Sequence, residues 1–379
     1  MAQDAGGNQG NAMQPYKGLF VLDAAQGIAG PYCGMLLAAM GAEVVKLEPP
    51  KGDWSRGLTT REGSHSVMSS VFNRGKRSLV LDLAAPAERT KAQALMARAD
   101  VVIEAFRPGV AARIGLGPAH ARANAVYVSI SGFGQSGPYA ERPCTDAVAQ
   151  AFSGLVSQNA GMDGAPHKVG TLPVDIHTGM SAFAAVQAAL ADRARDTTPR
   201  QRVLDCSLMA GAASLLCTSI AEAGLLGRLP AELNVPAGSY QAGDGAWVMI
   251  ALVREVDWVT LVGVLGAPAL LQDPRFGSFP LRAQNKPALL PMLRGIFLTR
   301  PAAEWIAALH AAGILASRVN TVLEWLEDGH VQASAAAPCV EQPGLGSLPL
   351  ANPPGLDIQL GPAPALGEHS DEILREMGG

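Results

Sequence analysis

Short apolar runs rich in Val, Ile and Leu alternate with glycine turns and helical stretches from the N-terminal side of the chain onward. That rhythm restricts the fold more than any other feature. LFVLD (19–23) leads through a glycine turn into the helical run AAQGIAGPYCGMLLAAMGA and then into EVVKLE (43–48). SLVLDL (78–83) precedes the helical AERTKAQALMARAD, and VVIEAF (101–106) and AVYVSIS (125–131) supply two more strands. RVLDCS (202–207) adds another beyond a long Ala-rich helix. Parallel neighbours need a crossover, and crossover helices cover both faces of the sheet, so such strands read as nearly continuous apolar runs. The expectation is a doubly wound, Rossmann-like α/β domain with a parallel sheet.

The second half changes character. ADRARDTTPRQR (191–202) reads as an exposed connection, and the helical run after Asp205 ends near Gly224 and Gly227. The apolar stretches 179–191 and 206–226 are read as buried helices rather than membrane spans. GSYQAGDGAWVMIAL (238–252) reads as a turn followed by a strand, and EVDWVTLVGVLG and PAAEWIAALHAAGI as amphipathic helices. From about residue 335 the chain is rich in Pro and Gly, and HSDEILREMG reads as a closing helix.

Composition excludes several classes. The net charge of -4, with no polybasic tail, argues against a nucleic-acid partner. The five cysteines include no CxxC pair, so neither a disulfide framework nor a zinc knuckle is expected, and no metal site either. The N-terminal stretch lacks the apolar core of a signal peptide, which points to a cytoplasmic protein. Only 16% of residues are charged; extensive subunit burial accounts for that, and so does an Ala- and Gly-rich composition.

Two aspartates carry the chemical interest. Asp175 lies in TLPVDIHTGMSAFAAVQAAL, where an extended stretch meets the long helix, and Asp146 lies in CTDAVAQAFSG, just before an apolar helical run. A carboxylate at a helix start is expected to be held charged by free backbone N–H groups and the helix dipole. A desolvated aspartate held close to an activated acyl group can attack it. The glycine-dense ISGFGQSGPYAERP (130–143) leads into Asp146 and suits a narrow arm such as pantetheine. Arg107 ends a strand and Arg113 follows it by a helical turn or more, where open sheets bind ligands and guanidinium groups meet phosphates. NRGKRS (73–78) reads as a solvated basic turn, and AQGIAGP, with Gly27 and Gly30, as a tight βα connection that is a weak phosphate site. His177, Cys144 and Asp205 read as structural, and GxSxG and HExxH are absent.

Taken together, these segments resemble the class III CoA-transferases, the family that includes formyl-CoA and carnitine CoA-transferases and the related α-methylacyl-CoA racemases. The likeness runs through VLDAAQGIAGPYCGMLLAAMGAEVVKLEPP, NRGKRSLVLDL, IEAFRPGVAARIGLG, ISGFGQSGPY, DAVAQAFSG and LPVDIHTG, then YQAGDGAW, DPRFG and APALGEHSDEIL. It implies a large Rossmann-like domain built from residues 1–222 and 333–379, a smaller α+β domain at 223–332, and an interlocked homodimer.

The resemblance also implies roles. Asp175 matches the aspartate that attacks an acyl-CoA thioester, giving an acyl anhydride and then an aspartyl-CoA thioester before acyl exchange with a small carboxylic acid. CoA and acyl-CoA are thus substrates, with no permanently bound cofactor. Asp146 matches a glutamate near the active site of some transferases. Ile28 and Ala29 match a pair lining the site, and Ile28 in place of glutamine argues against formate–oxalate specificity. Ala105, Phe106, Arg107 and Arg113 match the CoA-binding segment, and Thr145 a lining position. Leu81, Leu83 and Ala84 match the nucleotide end, where Ala84 replaces a lysine, and Pro49 replaces an adenine-flanking arginine. Racemases of the family carry a histidine at the position of Thr145, which has no useful pKa for moving an α-proton. A transferase is therefore favoured over a racemase, and over a non-catalytic CoA-binding protein.

Overall fold

The computed structural model describes residues 13–159, 164–230, 234–355 and 360–378. The chain divides into two compact units, Met1–Cys217 with Ala336–Gly379, and Thr218–Ala335.

The first unit is built on six parallel strands. In chain order the strands are β1 (Phe20–Asp23), β2 (Glu43–Glu48), a small hairpin of β3 (Arg61–Glu62) and β4 (His65–Ser66), β5 (Arg77–Val80), β6 (Val101–Glu104), β7 (Val126–Ser131) and β8 (Arg202–Ser207). The sheet order is β5-β2-β1-β6-β7-β8, so the direction of winding reverses between β1 and β6. Its helices are α1 (Ala29–Ala39), α2 (Val67–Phe72), α3 (Pro86–Arg98), α4 (Val110–Arg113), α5 (Asp146–Ser153), α6 (Leu155–Gln158), α7 (Pro173–Arg195) and α8 (Leu208–Leu215).

Strand side chains alternate between two faces. Val21, Val44, Ile103 and Val128 join one core with α1 and α7, while Leu22, Val45, Val102 and Tyr127 join another with α3. Both faces are covered, which is why these strands read as unbroken apolar runs. The helices α1 and α7 pack tightly: a Cβ on Gly179 would sit 2.7 Å from the Ala29 carbonyl oxygen.

Two strands end earlier than their apolar runs suggest. β5 stops at Val80 rather than residue 83, and β6 at Glu104 rather than residue 106. At each end a carboxylate turns the chain off the sheet: Asp82 accepts the Ala84 N–H at 3.0 Å, and Glu104 accepts the Phe106 N–H at 2.7 Å. The residues released, Leu83, Ala84, Ala105 and Phe106, become cavity walls.

The single helical run expected after Asp205 is broken at Leu216. The part before the break, α8, buries Leu208, Gly211 and Ala212, whereas Cys217–Leu226 buries none of its residues, so the reading of 206–226 as one buried helix is corrected. No single helix among the described residues is long and apolar enough to cross a membrane.

The second unit has its own core and an antiparallel sheet, β9 (Gly238–Gln241), β10 (Trp247–Ala251) and β11 (Leu315–Arg318), in the order β11-β10-β9. The stretch 238–252, read as a turn and one strand, is a hairpin. Helices Glu255–Leu265, Lys286–Phe297 and Ala302–Ala311 bring Trp258, Phe297 and Trp305 into that core. The C-terminal segment belongs to the first unit. The His369 N–H donates to the Ser78 carbonyl at 3.0 Å, and Arg77 pairs with Glu376 at 2.8 Å.

Candidate active site

A reversal of winding leaves a crevice beyond the C-terminal ends of the two central strands, because the connections from β1 and β6 leave toward opposite faces. A cavity of about 250 Å³ lies there, and a second of about 280 Å³ adjoins it, with Gln26 and Phe106 lining both.

The turn between β1 and α1 forms one wall and is tied down by buried charge. Asp23 accepts the Ala25 N–H at 3.0 Å and pairs with Lys76 at 2.7 Å. Lys46 reaches the Ala25 carbonyl and pairs with Asp53 at 3.0 Å. Asp53 in turn accepts the Gly27 and Ser55 N–H groups. Gly27 has φ +84°, and a Cβ there would lie 2.3 Å from the Trp54 ring. The turn donor suggested for a ligand phosphate is therefore occupied by the chain's own carboxylate. NRGKRS is likewise not a solvated turn. Arg74 and Lys76 are 2% and 4% exposed, and burial lowers the Lys76 pKa to about 8 even with Asp23 beside it.

Asp175 and Asp146 meet at the start of α7. Pro173 opens the helix, and Asp175 lies in its first turn with its side chain on the cavity wall. The free N–H groups of Val174 and Asp175 donate to Asp146 at 2.9 and 3.0 Å. Asp146 is itself buried in the first turn of α5, where its other oxygen accepts the Gln150 amide, and Gln150 accepts the Val169 N–H at 2.9 Å. Asp146 thus caps α7 from a neighbouring helix. The carboxylate of Asp175 accepts no hydrogen bond among the described residues. Burial, reinforced by the Asp146 charge, raises its pKa to about 7. The expectation that the helix start holds Asp175 charged is corrected: the helix-start donors serve Asp146, and Asp175 is a desolvated carboxyl poised between its two forms.

Ile28, Ala29, Ala105, Phe106, Arg107 and Thr145 line the first cavity with Asp175. Pro49, Leu83 and Ala84 line the second with Phe106. Asp146 lies behind the wall. Leu81 is 2% exposed in the α3-side core and lines neither cavity; nor does Arg113, which is exposed at the end of α4. His177 turns away to Ser214 on α8. Cys144 lines the cavity, but burial and the Asp175 and Asp146 charges raise its pKa, which keeps the thiol protonated.

Trp54 and Arg142 line the cavity and were missed in the sequence. Trp54 is 53% exposed, and its signal was an aromatic residue directly after the capping Asp53 in GDWSRG. Arg142 stands at the end of the glycine-dense loop, before Pro143, where nothing local distinguishes it from a surface charge.

Comparison with known proteins gives the family. The family model described as CoA-transferase family III matches residues 16–370. A succinyl-CoA–D-citramalate CoA-transferase of Chloroflexus aurantiacus is 30% identical, covering 97% of this chain and 94% of its own. An acetyl-CoA:oxalate CoA-transferase of Acetobacter aceti is 33% identical over 85% of this chain and 84% of its own. The crystal structure of a CAIB/BAIF family protein from Brucella suis superposes with a TM-score of 0.83 at 30% identity, over 97% of this chain and 100% of the other. The chain therefore belongs to CoA-transferase family III and is an enzyme of that class.

Proposed function

We propose that the enzyme moves CoA from an acyl-CoA to a small carboxylic acid, with Asp175 as the covalent centre. An oxygen of Asp175 attacks the thioester carbonyl carbon. The C–S bond breaks, leaving an acyl-aspartyl anhydride and CoA thiolate. The thiolate attacks the aspartyl carbonyl, the donor acid leaves as its carboxylate, and an aspartyl-CoA thioester forms. The acceptor carboxylate attacks that thioester, releasing the thiolate and forming a second anhydride. The thiolate then attacks the acyl carbonyl of the acceptor, and Asp175 departs as a carboxylate. No proton is consumed over the cycle, so the site needs no acid–base pair beyond a deprotonated Asp175.

The observation that carries this reading is the Asp175 side chain on the cavity wall with no hydrogen-bond donor on its carboxylate. A carboxylate without donors and shielded from water is a stronger nucleophile than a solvated one. The pantetheine arm runs past Gln26 and Phe106, which line both cavities, and the nucleotide end lies toward Pro49, Leu83 and Ala84. Ile28, Ala29, Ala105 and Thr145 enclose the acyl group, Arg107 offers donors to phosphate, and Asp146 positions Asp175. Arg113 lines neither cavity, and its part in this reading is a contact with the nucleotide from outside their walls. Leu81 supports that end from the core.

The working form is a homodimer. Cys217–Leu226 buries none of its residues, Leu225 is 85% exposed, and Val203 on the edge strand β8 is 57% exposed; a second copy covers these surfaces.

Intact-protein mass spectrometry with a panel of acyl-CoAs tests the chemistry. Hydroxylamine should trap an activated carbonyl on the unmodified enzyme and none on Asp175→Asn. Trapping that persists in the variant would place the covalent centre elsewhere.

A further inference from the structure

Among the described residues the first cavity carries three charged side chains, Asp175, Arg107 and Arg142. Neither arginine forms an ion pair or side-chain hydrogen bond among the described residues. Arg56, Arg77, Arg122, Arg193, Arg200 and Arg202 all reach carboxylates.

The two free guanidinium groups sit differently. Arg107 follows Phe106, the residue shared with the second cavity, and itself lines only the first of the two. Arg142 lines the first cavity with Pro143, Cys144 and Thr145 and also borders an adjoining open groove, and Cys144 is close enough to Asp175 to feel its charge.

Arg142 is also held in place. Its guanidinium carbon lies 3.6 Å from the centroid of the Tyr139 ring. Tyr139 is braced edge-on by Phe133 at 5.9 Å and by Phe152 at 5.8 Å. A long side chain fixed over an aromatic platform has already lost most of the freedom that ligand binding would cost it, and its donors stay directed outward. Glu141, the nearest carboxylate in sequence, is exposed beside an adjoining open groove and makes no ion pair with Arg142.

We infer that Arg142 is a specificity-determining residue that binds the remote carboxylate of a dicarboxylic acyl group, so that the substrates are acyl-CoAs whose chain ends in a second carboxylate and the corresponding free diacids. The inference rests on the Asp175 reading. One end of the acyl chain is fixed at Asp175 by bond formation, and the other meets a planar fork of donors suited to a carboxylate. Between them the wall offers Ile28, Ala29 and Thr145 to the methylene carbons.

Succinyl-CoA and butyryl-CoA test this, because their acyl chains have equal carbon number and differ in a terminal carboxylate against a methyl. The readout is single-turnover release of CoA thiol, with free-CoA affinity measured alongside. The unmodified enzyme should favour succinyl-CoA. Arg142→Gln should reduce the succinyl-to-butyryl ratio by about 10- to 100-fold, the value of a charge-assisted hydrogen-bonded contact, and Arg142→Lys should restore part of it. A ratio that survives the substitution overturns the inference. So does a parallel loss with both thioesters accompanied by weaker CoA binding, which would give Arg142 to a CoA phosphate. Absence of hydroxylamine-trappable enzyme with either thioester would instead bring down the Asp175 reading, and this inference with it.

Discussion

Two carboxylates near the C-terminal ends of the sheet, one buried and one partly buried, have opposite fates. Glu48, at the end of β2, is 1% exposed and receives Arg56 at 2.7 and 2.8 Å, the Ser78 hydroxyl at 2.9 Å and the Asp53 N–H at 3.0 Å. Burial pushes its pKa up, but the Arg56 bonds and the Lys46 charge outweigh that and hold it at about 2. Asp175, at the start of α7, receives no donor among the described residues and meets a second carboxylate, so burial and Asp146 raise it to about 7. Burial acts in the same direction on both; the partners decide the outcome. One region spends its charges on fixing the β1–α1 turn, and the other leaves a carboxylate unsatisfied on a cavity wall.

The sharpest break of that comparison is Asp175→Asn, which should lower turnover at least about a thousandfold while the β1–α1 turn stays folded, as steady-state rates and circular dichroism would report. The paired region should respond in the other way. Lys76→Met strands Asp23 in the core and should cost roughly 3–5 kcal/mol, visible in denaturant unfolding, and Asp23→Asn in the same chain should recover part of the loss.

A smaller effect follows from the unpaired region. The folded pKa of Asp175 lies above its unfolded value, so the native state binds the extra proton between about pH 4 and 7. Stability from this group is present at low pH and is lost as pH rises through about 7. Asp175→Asn should therefore stabilise the protein more at pH 8 than at pH 5, by on the order of 1–2 kcal/mol in thermal or denaturant unfolding. A gain equal at both pH values would show that Asp175 is not strained by its charge.

The smallest expected change is in the pH profile. Acyl transfer should rise with pH and level off above about 7 as Asp175 ionises. Asp146→Asn keeps an oxygen for the Val174 and Asp175 N–H groups but removes the neighbouring charge, so the midpoint should move down by a fraction of a unit, since burial is the larger cause. An unmoved midpoint would leave Asp146 with only its capping role.

Much of the sheet was legible because its signal is local. Apolar runs of four to six residues followed by glycine or helical periodicity identified all six parallel strands, and the resemblance to a known family singled out Asp175 as the candidate centre. The errors fall where two distant segments settle a residue's surroundings. NRGKRS looks like a wet basic turn until Asp23 is placed against Lys76, 53 residues away. At Gly27 the tight βα connection holds, and only the weak phosphate reading gives way, because Asp53 takes the Gly27 N–H. Arg142 looks like a surface charge until the Tyr139 platform and the cavity are assembled around it.

By itself the sequence determined the alternation that demands a parallel sheet, the glycines that allow its turns, and a carboxylate beside the start of a long helix. Those are matters of chain geometry and spacing, set within a few residues. Only the tertiary structure decided which charges are satisfied. Whether such a group holds its proton depends on the donors and charges that folding places around it: Arg56, Lys46 and Asp53 gather on Glu48 from within eight residues, whereas Asp146 meets Asp175 from 29 residues away. For that reason Glu48 and Asp175, both acidic residues in the chain, become a structural anchor and an unsatisfied carboxyl on a cavity wall.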